Sequence, residues 1–382
     1  MNGSLSLAKP VLIIAGSGIG NILLATPLLR SLRRAHPGLA IDVLVPEGRG
    51  DILIGNADVR SVLSAPRTAG WHRQAQWLAR LRNCYSCALS TRSGDRSLFH
   101  AWLAAPFRAA HVEQETGGHL WVKWAIQHRV PLDLSTHAVL HGLRLLEPLG
   151  ISPDYTLVPP SCSPEAREAM LRWLPFDPAT TPYAVVHPCA RNRYKNWTVA
   201  GWQAVVRHLH GRGLRTVMTG ARVGEEERIL RAIASGLPRD ALLDASSQLS
   251  LPQIAELLRG AAVYAGPDTG ITHLAAATGT SCVVLFGPSE FVYWSHWPVG
   301  YTDPTPPFVR RGCQRVGNVS LVQHPEPCVG CGREGCNDDP TEPTRCMQSL
   351  PAEWVLAAIE QGLHASHHLT GHQAPVVSHA SS

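Results

Sequence analysis

The stretch "VYAGPDTGITHLAAATGTSCVVLFG", residues 263–287, carries the pattern of a strand, a turn, a helix and a second strand. Its two apolar ends have the length of buried strands, and the Gly-Pro pair after the first end marks a turn. The middle is rich in alanine, whose small side chain lets a helix pack close to a sheet, and nearly all its polar residues stand at the front of that helix. This order of elements predicts parallel strands joined by a helix on the sheet face.

The same alternation of apolar runs and helical periodicity recurs along the chain. In the first half, strands are predicted at 11–15 and 41–45, with a helix at 21–34 between them. A proline-rich segment over 151–182 interrupts the pattern, and a second series starts at Tyr183. We therefore predict an α/β protein in which two Rossmann-like domains place their parallel sheets on a central cleft.

The domain boundaries follow from the proline-rich segment and from the end of the periodic pattern. We expect a first domain at 1–165, a second at 166–363 and a disordered tail at 364–382, because the histidine-containing tail shows no core pattern. The last ordered helix, 351–363, is expected to cross back to the first domain.

Composition narrows the class of protein. The 382 residues are 45% hydrophobic and 16% charged, with a net charge of +5, and no apolar run reaches the length of a membrane span. We expect a cytoplasmic protein without a signal peptide and without a nucleic-acid partner, because no aromatic and basic motif of that kind is present. Ten cysteines in such a chain do not indicate a disulfide framework.

The front of the alanine-rich helix predicts an anion site. The N–H groups of Gly270, Ile271 and Thr272 would be free, and the helix dipole favours negative charge there. Glycine allows close approach of a pyrophosphate to the backbone. Asp268 would repel phosphate, so we expect it to accept hydrogen bonds from sugar hydroxyls or to meet a cation, while Thr269 donates to an oxyanion.

Three cations follow the first strand of the second domain. Arg191, Arg193 and Lys195 in "HPCARNRYKNW", residues 187–197, suit a phosphate, although a solvated basic loop is the alternative. His273 in the first helical turn either bonds a carbonyl or donates to a leaving phosphate.

Two other motifs are less specific. The turn "GSGIGN", residues 16–21, lacks the last glycine of the dinucleotide fingerprint, which argues against a nicotinamide enzyme. The glutamates of "GEEER", residues 224–228, suit a helix start, and one of them could accept hydrogen bonds from a ribose or a base.

Taken together, these motifs resemble the ADP-heptose heptosyltransferases of glycosyltransferase family 9. The resemblance spans about residues 10–360 and includes "GIGNILLATPLLRSLRRAHP" at 18–37, "KNW" at 195–197, "VVLFGPSE" at 283–290 and Trp297-Pro298. It implies a GT-B fold, with an N-terminal acceptor domain and a C-terminal donor domain. It also implies inverting transfer of a heptose from ADP-heptose or a related nucleotide sugar, with no cofactor required, to an acceptor hydroxyl in lipopolysaccharide core or a related glycan.

The resemblance also assigns residues. Catalytic positions would be Asn21, Lys195, Asp268 and His273. Donor-binding positions would be Gly20, Ala190, Arg191, Lys195, Glu226, Leu249, Asp268, Thr269, Gly270 and His273, although Ala190 and Arg191 replace the hydroxyl residues usual in the family.

Asn21 departs from the family, where many members carry an aspartate that acts as general base. An amide cannot take up a proton at neutral pH. Asp95, Asp51 or His111 could supply the base, or Asn21 could orient the acceptor while a phosphate or water takes the proton. A sugar-nucleotide-binding protein without catalysis and an epimerase of the same fold remain alternatives. The acceptor could be an anionic glycolipid, a protein or a small molecule.

Two further stretches carry candidate roles. "CVGCGREGCNDDPTEPTRC", residues 328–346, could close a structural zinc or iron site with Cys328, Cys331, Cys336 and Cys346, or hold reduced thiols or a redox pair. A branch of the family that glycosylates protein carries an iron-binding finger at a similar place. "WHRQAQWLARLR", residues 71–82, predicts a surface helix or a peripheral contact with the inner membrane.

Overall fold

The computed structural model describes residues 9–66, 70–113 and 120–370, without the side chains of 366–370. A six-stranded sheet has the order β3-β2-β1-β4-β5-β6, and all its strands are parallel. Its strands are β1 Val11–Ile14, β2 Ile41–Pro46, β3 Ser61–Ala65, β4 Cys87–Ser90, β5 Phe107–Val112 and β6 His128–Pro131.

A seven-stranded sheet follows, in the order β12-β13-β11-β10-β7-β8-β9, and only the β12–β13 pair is antiparallel among its described strands. The strands are β7 Tyr183–Val186, β8 Arg215–Met218, β9 Leu242–Asp244, β10 Val263–Pro267, β11 Cys282–Leu285, β12 Gln314–Val316 and β13 Val319–Val322. The predicted α/β architecture with two Rossmann-like sheets is confirmed.

Helices cover both sheets and connect their strands. The helices of the first half are α1 Ile19–Leu24, α2 Thr26–Ala35, α3 Trp71–Leu81, α4 Asp95–Ala104, α5 Leu120–Ala125 and α6 Ala138–Leu143. Those of the second half are α7 Pro164–Trp173, α8 Val199–Gly211, α9 Gly224–Ser235, α10 Leu251–Gly260, α11 Gly270–Ala277, α12 Phe291–Trp294, α13 Arg345–Gln348 and α14 Ala352–Thr370. Short 3-10 turns occupy Gly50–Leu53, Arg144–Leu149 and Arg193–Lys195.

The central strands are buried on both faces, as the continuous apolar runs predict for parallel sheets. All four residues of β1 and all four of β11 are buried. The predicted helix at 21–34 is two helices, because the chain bends at Ala25 and Pro27 begins the second helix near its first turn.

The end of the chain differs from the prediction. Helix α14 packs on the second sheet, where Val355, Ile359 and Leu363 join the core around Val263 and Val283. The expected return to the first domain is therefore wrong, because this apolar stripe covers the second sheet. The helix also continues to Thr370, so 364–370 are helical, whereas 371–382 lie outside the described residues.

No helix within the described ranges is both long enough and apolar enough to cross a membrane.

Candidate active site

A cleft of about 910 Å³ lies between the two sheets, at the ends of β1, β7, β8 and β10. Ligands of open parallel sheets bind at these carboxyl ends. The first half contributes the turn 17–21 and Arg49. The second half contributes residues from the loops after its strands, including Ala190, Arg191, Lys195, Glu226, Asp268, Thr269, Gly270 and His273. The structure thus brings nearly all of the predicted donor-site residues to one cleft.

The start of α11 offers two free donors rather than three. The hydroxyl of Thr269 caps the helix and accepts a hydrogen bond of 3.2 Å from the N–H of Thr272. The expectation that the Thr272 N–H is free is therefore wrong, because its own cap occupies it. The N–H groups of Gly270 and Ile271 have no acceptor among the described residues, so the predicted anion site would depend on these two groups and the helix dipole.

Asp268 is a buried carboxylate held by a cation and a hydroxyl. Lys195 Nζ lies 2.7 Å from Asp268 Oδ2, and Ser289 Oγ donates to the same oxygen at 2.6 Å. Burial alone would raise the pKa of the Asp268 carboxyl, but Lys195 and two nearby histidines outweigh it and hold that pKa well below its ordinary value. Asp268 is therefore ionised, and its charge also keeps the pKa of Lys195 above the ordinary value against burial.

Two stacked imidazoles face the other oxygen of Asp268. The rings of His273 and His296 lie 4.0 Å apart, and their Nε2 atoms stand 3.8 and 3.9 Å from Asp268 Oδ1, too far for a hydrogen bond. Burial lowers the pKa of His273 to about 4 despite Asp268. Burial, with the neighbouring His273, also lowers that of His296. Both rings are neutral at neutral pH and can serve as hydrogen-bond donors or acceptors, not as fixed cations.

His296 and Ser289 did not emerge from the sequence as site residues. His296 is fully buried, and neither of its ring nitrogens has a hydrogen-bond partner among the described residues. The one signal in the sequence was its position directly before Trp297-Pro298, a pair that contributes to the family resemblance. A buried histidine at a cleft often has a functional role.

Asp268, His273 and His296 are the one group among the described residues whose three ligand atoms lie within 4.8 Å of one another. The ammonium of Lys195 already pairs with Asp268. A divalent cation would lie close to this ammonium, and their repulsion opposes metal binding here.

Gly20 and Gly270 let the two domains approach each other. A Cβ on Gly20 would lie 3.1 Å from His273 Cδ2 and 3.2 Å from the Cα of Gly270. A Cβ on Gly270 would lie 3.0 Å from the Gly20 nitrogen and would clash with Ile19. These glycines are therefore needed for the contact between α1 and α11, in addition to leaving their backbone accessible.

Some polar groups of the basic loop, residues 187–197, already have partners within the protein. Arg193 pairs with Glu225 at 3.1 Å, and the N–H of Ala190 donates to Asn196 Oδ1 at 2.7 Å. Arg191 forms no ion pair among the described residues, and it lines both this cleft and a second cavity. All three predicted cations line the cleft, and of these three only Arg191 has no ion pair with the described residues, since Lys195 pairs with Asp268.

The two remaining donor-site predictions have different outcomes. Glu226 lines the cleft and accepts the Ala221 N–H at 2.7 Å through one oxygen, which leaves the other available. Burial raises the pKa of its carboxyl. Leu249 does not line the cleft in the described structure, because it packs at the edge of the hydrophobic core instead.

A second cavity of about 610 Å³ opens beside the first sheet and shares the turn 17–18 with the cleft. Its walls carry four guanidinium groups, two carboxylates and a buried imidazole: Arg49, Arg92, Arg96, Arg191, Glu47, Asp95 and His100. Burial and the nearby guanidinium groups lower the pKa of His100 to about 4. This cavity, which we term the cationic cavity, therefore favours an anionic ligand. Of its charged residues, the sequence pointed only to Asp95 and Arg191.

The other candidate bases lie elsewhere. Asn21 lines the cleft and, with His111, a separate small cavity. Burial and the adjacent His141 lower the pKa of His111 to about 3, which makes its ring a weak base. Asp51 is exposed on a 3-10 turn and lines none of the three cavities described.

Comparison with known proteins supports a single family. The model of "Glycosyltransferase family 9 (heptosyltransferase)" matches residues 76–303, which is more than half of the chain. The chain belongs to this family. It is therefore a glycosyltransferase, and the resemblance seen in the sequence motifs is confirmed.

Individual relatives agree with this assignment. The glycosyltransferase is 26% identical over 290 residues to lipopolysaccharide heptosyltransferase 3 of Escherichia coli, covering 73% of this chain and 83% of the relative. Its fold is similar to that of E. coli ADP-heptose lipopolysaccharide heptosyltransferase II, with a TM-score of 0.71, 16% identity and coverage of 94% and 99%. It is also similar to the iron-containing glycosyltransferase TibC of enterotoxigenic E. coli, with a TM-score of 0.54, 16% identity and coverage of 94% and 77%. The expected GT-B fold is thus confirmed.

The glycosyltransferase has four cysteines in the loop 328–346, of which Cys346 is buried and the other three are exposed or half-buried. Burial raises the pKa of Cys346, and the neighbouring thiols of the other three raise it further. No three of the four sulfurs lie within 4.8 Å of one another in the described structure. The four thiols therefore do not form a closed tetrahedral site in the described structure.

Proposed function

We propose that this glycosyltransferase transfers a heptose from ADP-heptose to a hydroxyl of an anionic lipopolysaccharide-core acceptor, with inversion at the sugar carbon. One observation carries the proposal: buried Asp268 and its partner, the half-buried Lys195, stand beside the two free N–H groups at the start of α11. This arrangement fits a group that joins a neutral, hydroxyl-rich sugar to a diphosphate. The named activities of the relatives at 26% identity support the choice of sugar and acceptor.

On the donor side, negative charge grows on the diphosphate as its bond to the sugar carbon breaks. The N–H groups of Gly270 and Ile271 and the ammonium of Lys195 are placed to stabilise that charge without reorganisation. His273 supplies a neutral N–H to the same region. Asp268 accepts hydrogen bonds from sugar hydroxyls, since a carboxylate would repel the diphosphate itself.

The nucleotide of the donor would extend from the diphosphate along the loops after β7 and β8. Arg191 has capacity for a phosphate, Ala190 provides a small wall, and the free oxygen of Glu226 suits a ribose hydroxyl. ADP would leave from this side once transfer is complete.

On the acceptor side, the cationic cavity would hold phosphate or carboxylate groups of the acceptor. The acceptor oxygen attacks the anomeric carbon, the bond from that carbon to the diphosphate breaks, and the hydroxyl proton passes to a carboxylate. We assign that proton to Asp95, a carboxylate of this cavity, because Asn21 cannot accept it, Asp51 lines none of the cavities described, and His111 lines only the separate small cavity. Asn21, which lines the cleft and the small cavity that it shares with His111, would orient the acceptor hydroxyl where it reaches the cleft.

Metal would have no part in the transfer itself, because Lys195 and the helix start supply the positive field. We propose that the cysteine loop holds a structural zinc or iron through Cys328, Cys331, Cys336 and Cys346. The presence of four free thiols in one loop supports this, and binding would require the loop to tighten.

The proposal is tested with purified protein and ADP-heptose, using heptose-deficient lipopolysaccharide core, a protein and a small hydroxylated molecule as acceptors. We expect transfer to the lipopolysaccharide core, and loss of it in Lys195→Ala and Asp268→Ala but not in Arg172→Ala, an exposed control. ADP-heptose binding without turnover on every acceptor would overturn the proposal and favour a binding protein. Transfer to another acceptor alone would correct the acceptor class.

A further inference from the structure

Helices α3, α4 and α5 cover one face of the first sheet. Their inner sides enter the core through Leu81, Leu98, Ala101, Val122 and Ala125. Such helices normally carry polar and charged side chains on the opposite side. Here that side carries large apolar groups, which we term the aromatic face: Trp71, Phe99, Leu120, Trp121 and Trp124.

The aromatic face is strongly exposed. Leu120 is 85% exposed, Trp71 is 73% and Trp124 is 72%. The half-buried Trp102 links Phe99 and Trp124, since its ring lies 5.6 and 5.8 Å from theirs. Single exposed apolar residues are ordinary, but several bulky ones on adjacent helices mark an interaction surface.

The charges around the aromatic face have one dominant sign. Arg73, Arg80, Arg82 and Lys123 are exposed, and none of them forms an ion pair with the described residues. Asp95 is the one carboxylate in the sequences of the three helices. Tryptophan beside unpaired basic residues matches the interface of an anionic bilayer, where rings enter the headgroup region and cations meet lipid phosphates.

The aromatic face is joined to the cationic cavity by helix α4. That helix gives Arg96 and His100 to the cavity and Phe99 and Trp102 to the aromatic side. The carbonyl of Pro66 accepts hydrogen bonds from Arg96 on α4 and from Gln74 on α3, so the first turns of both helices meet beside the cavity.

We propose that the aromatic face binds an anionic lipid bilayer and so presents the cationic cavity to acceptors anchored in it. The bilayer contact itself does not depend on catalysis. The role of that contact in acceptor delivery rests on the proposed transferase function.

Vesicle sedimentation tests the contact without donor or acceptor. We expect the protein to bind vesicles of phosphatidylcholine with phosphatidylglycerol, to bind vesicles of phosphatidylcholine alone weakly, and to lose binding at high salt. The double variant Trp71→Ser with Trp124→Ser should bind about tenfold less. Reversal of charge in Arg80→Glu with Lys123→Glu should reduce binding about tenfold or more.

Matched controls lie on the second domain. Trp354→Ser removes another exposed tryptophan, and Arg310→Glu with Arg311→Glu changes the charge by the same amount. Both should bind like the wild type. The proposal would be overturned if the control variants lost as much vesicle binding as the variants of the aromatic face. It would also be overturned if the variants of the aromatic face bound vesicles like the wild type. The proposal would also be overturned if the wild type bound no vesicles and instead formed a dimer that the tryptophan variants convert to monomer.

Transfer to a delipidated acceptor separates this proposal from the proposed function. The tryptophan variant should keep that activity and lose efficiency only on vesicle-embedded acceptor. Absence of transfer in all proteins, with vesicle binding intact, would refute the function and leave the bilayer contact standing.

Discussion

Lys195 Nζ lies 2.7 Å from Asp268 Oδ2, which joins the loop after β7 to the turn before α11. Both side chains lie at the donor cleft, and Asp268 is only 6% exposed. A buried pair of this kind is weak evidence for stability in itself, but loss of one partner leaves the other charge uncompensated. We therefore expect the pair to link donor binding to the integrity of the cleft.

Substitution Lys195→Met should destabilise the protein by about 3–5 kcal/mol and reduce kcat/KM roughly a hundredfold or more, because Asp268 loses its cation. Chemical denaturation and initial rates measure the two effects. The double variant Lys195→Met with Asp268→Asn should recover part of the stability but no activity. A double variant less stable than the sum of the singles would contradict this coupling.

The same pair predicts a pH dependence. The folded pKa of Asp268 is below its unfolded value, so its contribution to stability is complete above about pH 4 and is lost as the pH falls further. The difference in unfolding free energy between wild type and Asp268→Asn should thus be constant near neutral pH and shrink in acid. A difference that grows as the pH falls would contradict the assigned ionisation.

Buried His137 predicts a second pH dependence of the unfolding free energy, which begins at a higher pH. His137 is fully buried between the domains, where its Nε2 bonds the Ser295 carbonyl at 2.7 Å, and burial lowers its pKa to about 3. The unfolded ring takes up a proton near pH 6.5, so stability is complete above that value and falls as the pH is lowered toward the folded pKa. His137→Gln should reduce this slope by up to about 1.4 kcal/mol per pH unit. An unchanged slope in His137→Gln would contradict the assigned effect of burial.

The glycine contact predicts a steric effect. Gly270→Ala should cost about 1–3 kcal/mol and lower transfer at least about tenfold, because α1 and α11 must separate. Gly38→Ala is the matched control, since a Cβ there meets no atom within 4 Å. A crystal structure would show the separation of the helices, chemical denaturation would measure the lost stability, and initial rates would measure the lost transfer. Full activity in Gly270→Ala would show that close approach of the helices is not required.

The general base assignment predicts a difference between two carboxylates of one cavity. Asp95→Asn should lower kcat about a hundredfold or more while donor binding is unchanged. Glu47→Gln removes the other carboxylate of the cavity and should retain most of kcat. The reverse result would move the base to Glu47, and activity in both variants would favour a phosphate or water as proton acceptor.

The cysteine loop predicts bound metal in protein purified with reductant. Elemental analysis should find about one zinc or iron per chain, and Cys328→Ser with Cys331→Ser should remove it. Cys84→Ser, at an exposed cysteine of the first domain, is the control. Metal-free wild-type protein would exclude the site, independently of any activity measurement.

The sequence by itself determined the two sheets of mainly parallel strands and the glycine-led start of α11 at the cleft, where it predicts an anion site. Both depend on local signals, namely apolar periodicity, the Gly-Pro turn and the glycine that opens the helix. The charges of Lys195 and Asp268 were also visible, because Asp268 directly follows one predicted strand, Lys195 lies in the loop after another, and strand ends of a parallel sheet share one edge.

Only the tertiary structure decided which distant segments meet. It placed His296 against Asp268, put Gly20 against Gly270, and assembled Arg92, Arg96 and Glu47 into a cationic cavity. It also gave the Thr272 N–H to its helix cap and directed α14 to the second sheet. These features result from packing between elements far apart in the chain, and neither hydrophobic period nor residue spacing encodes which neighbour an exposed face will find.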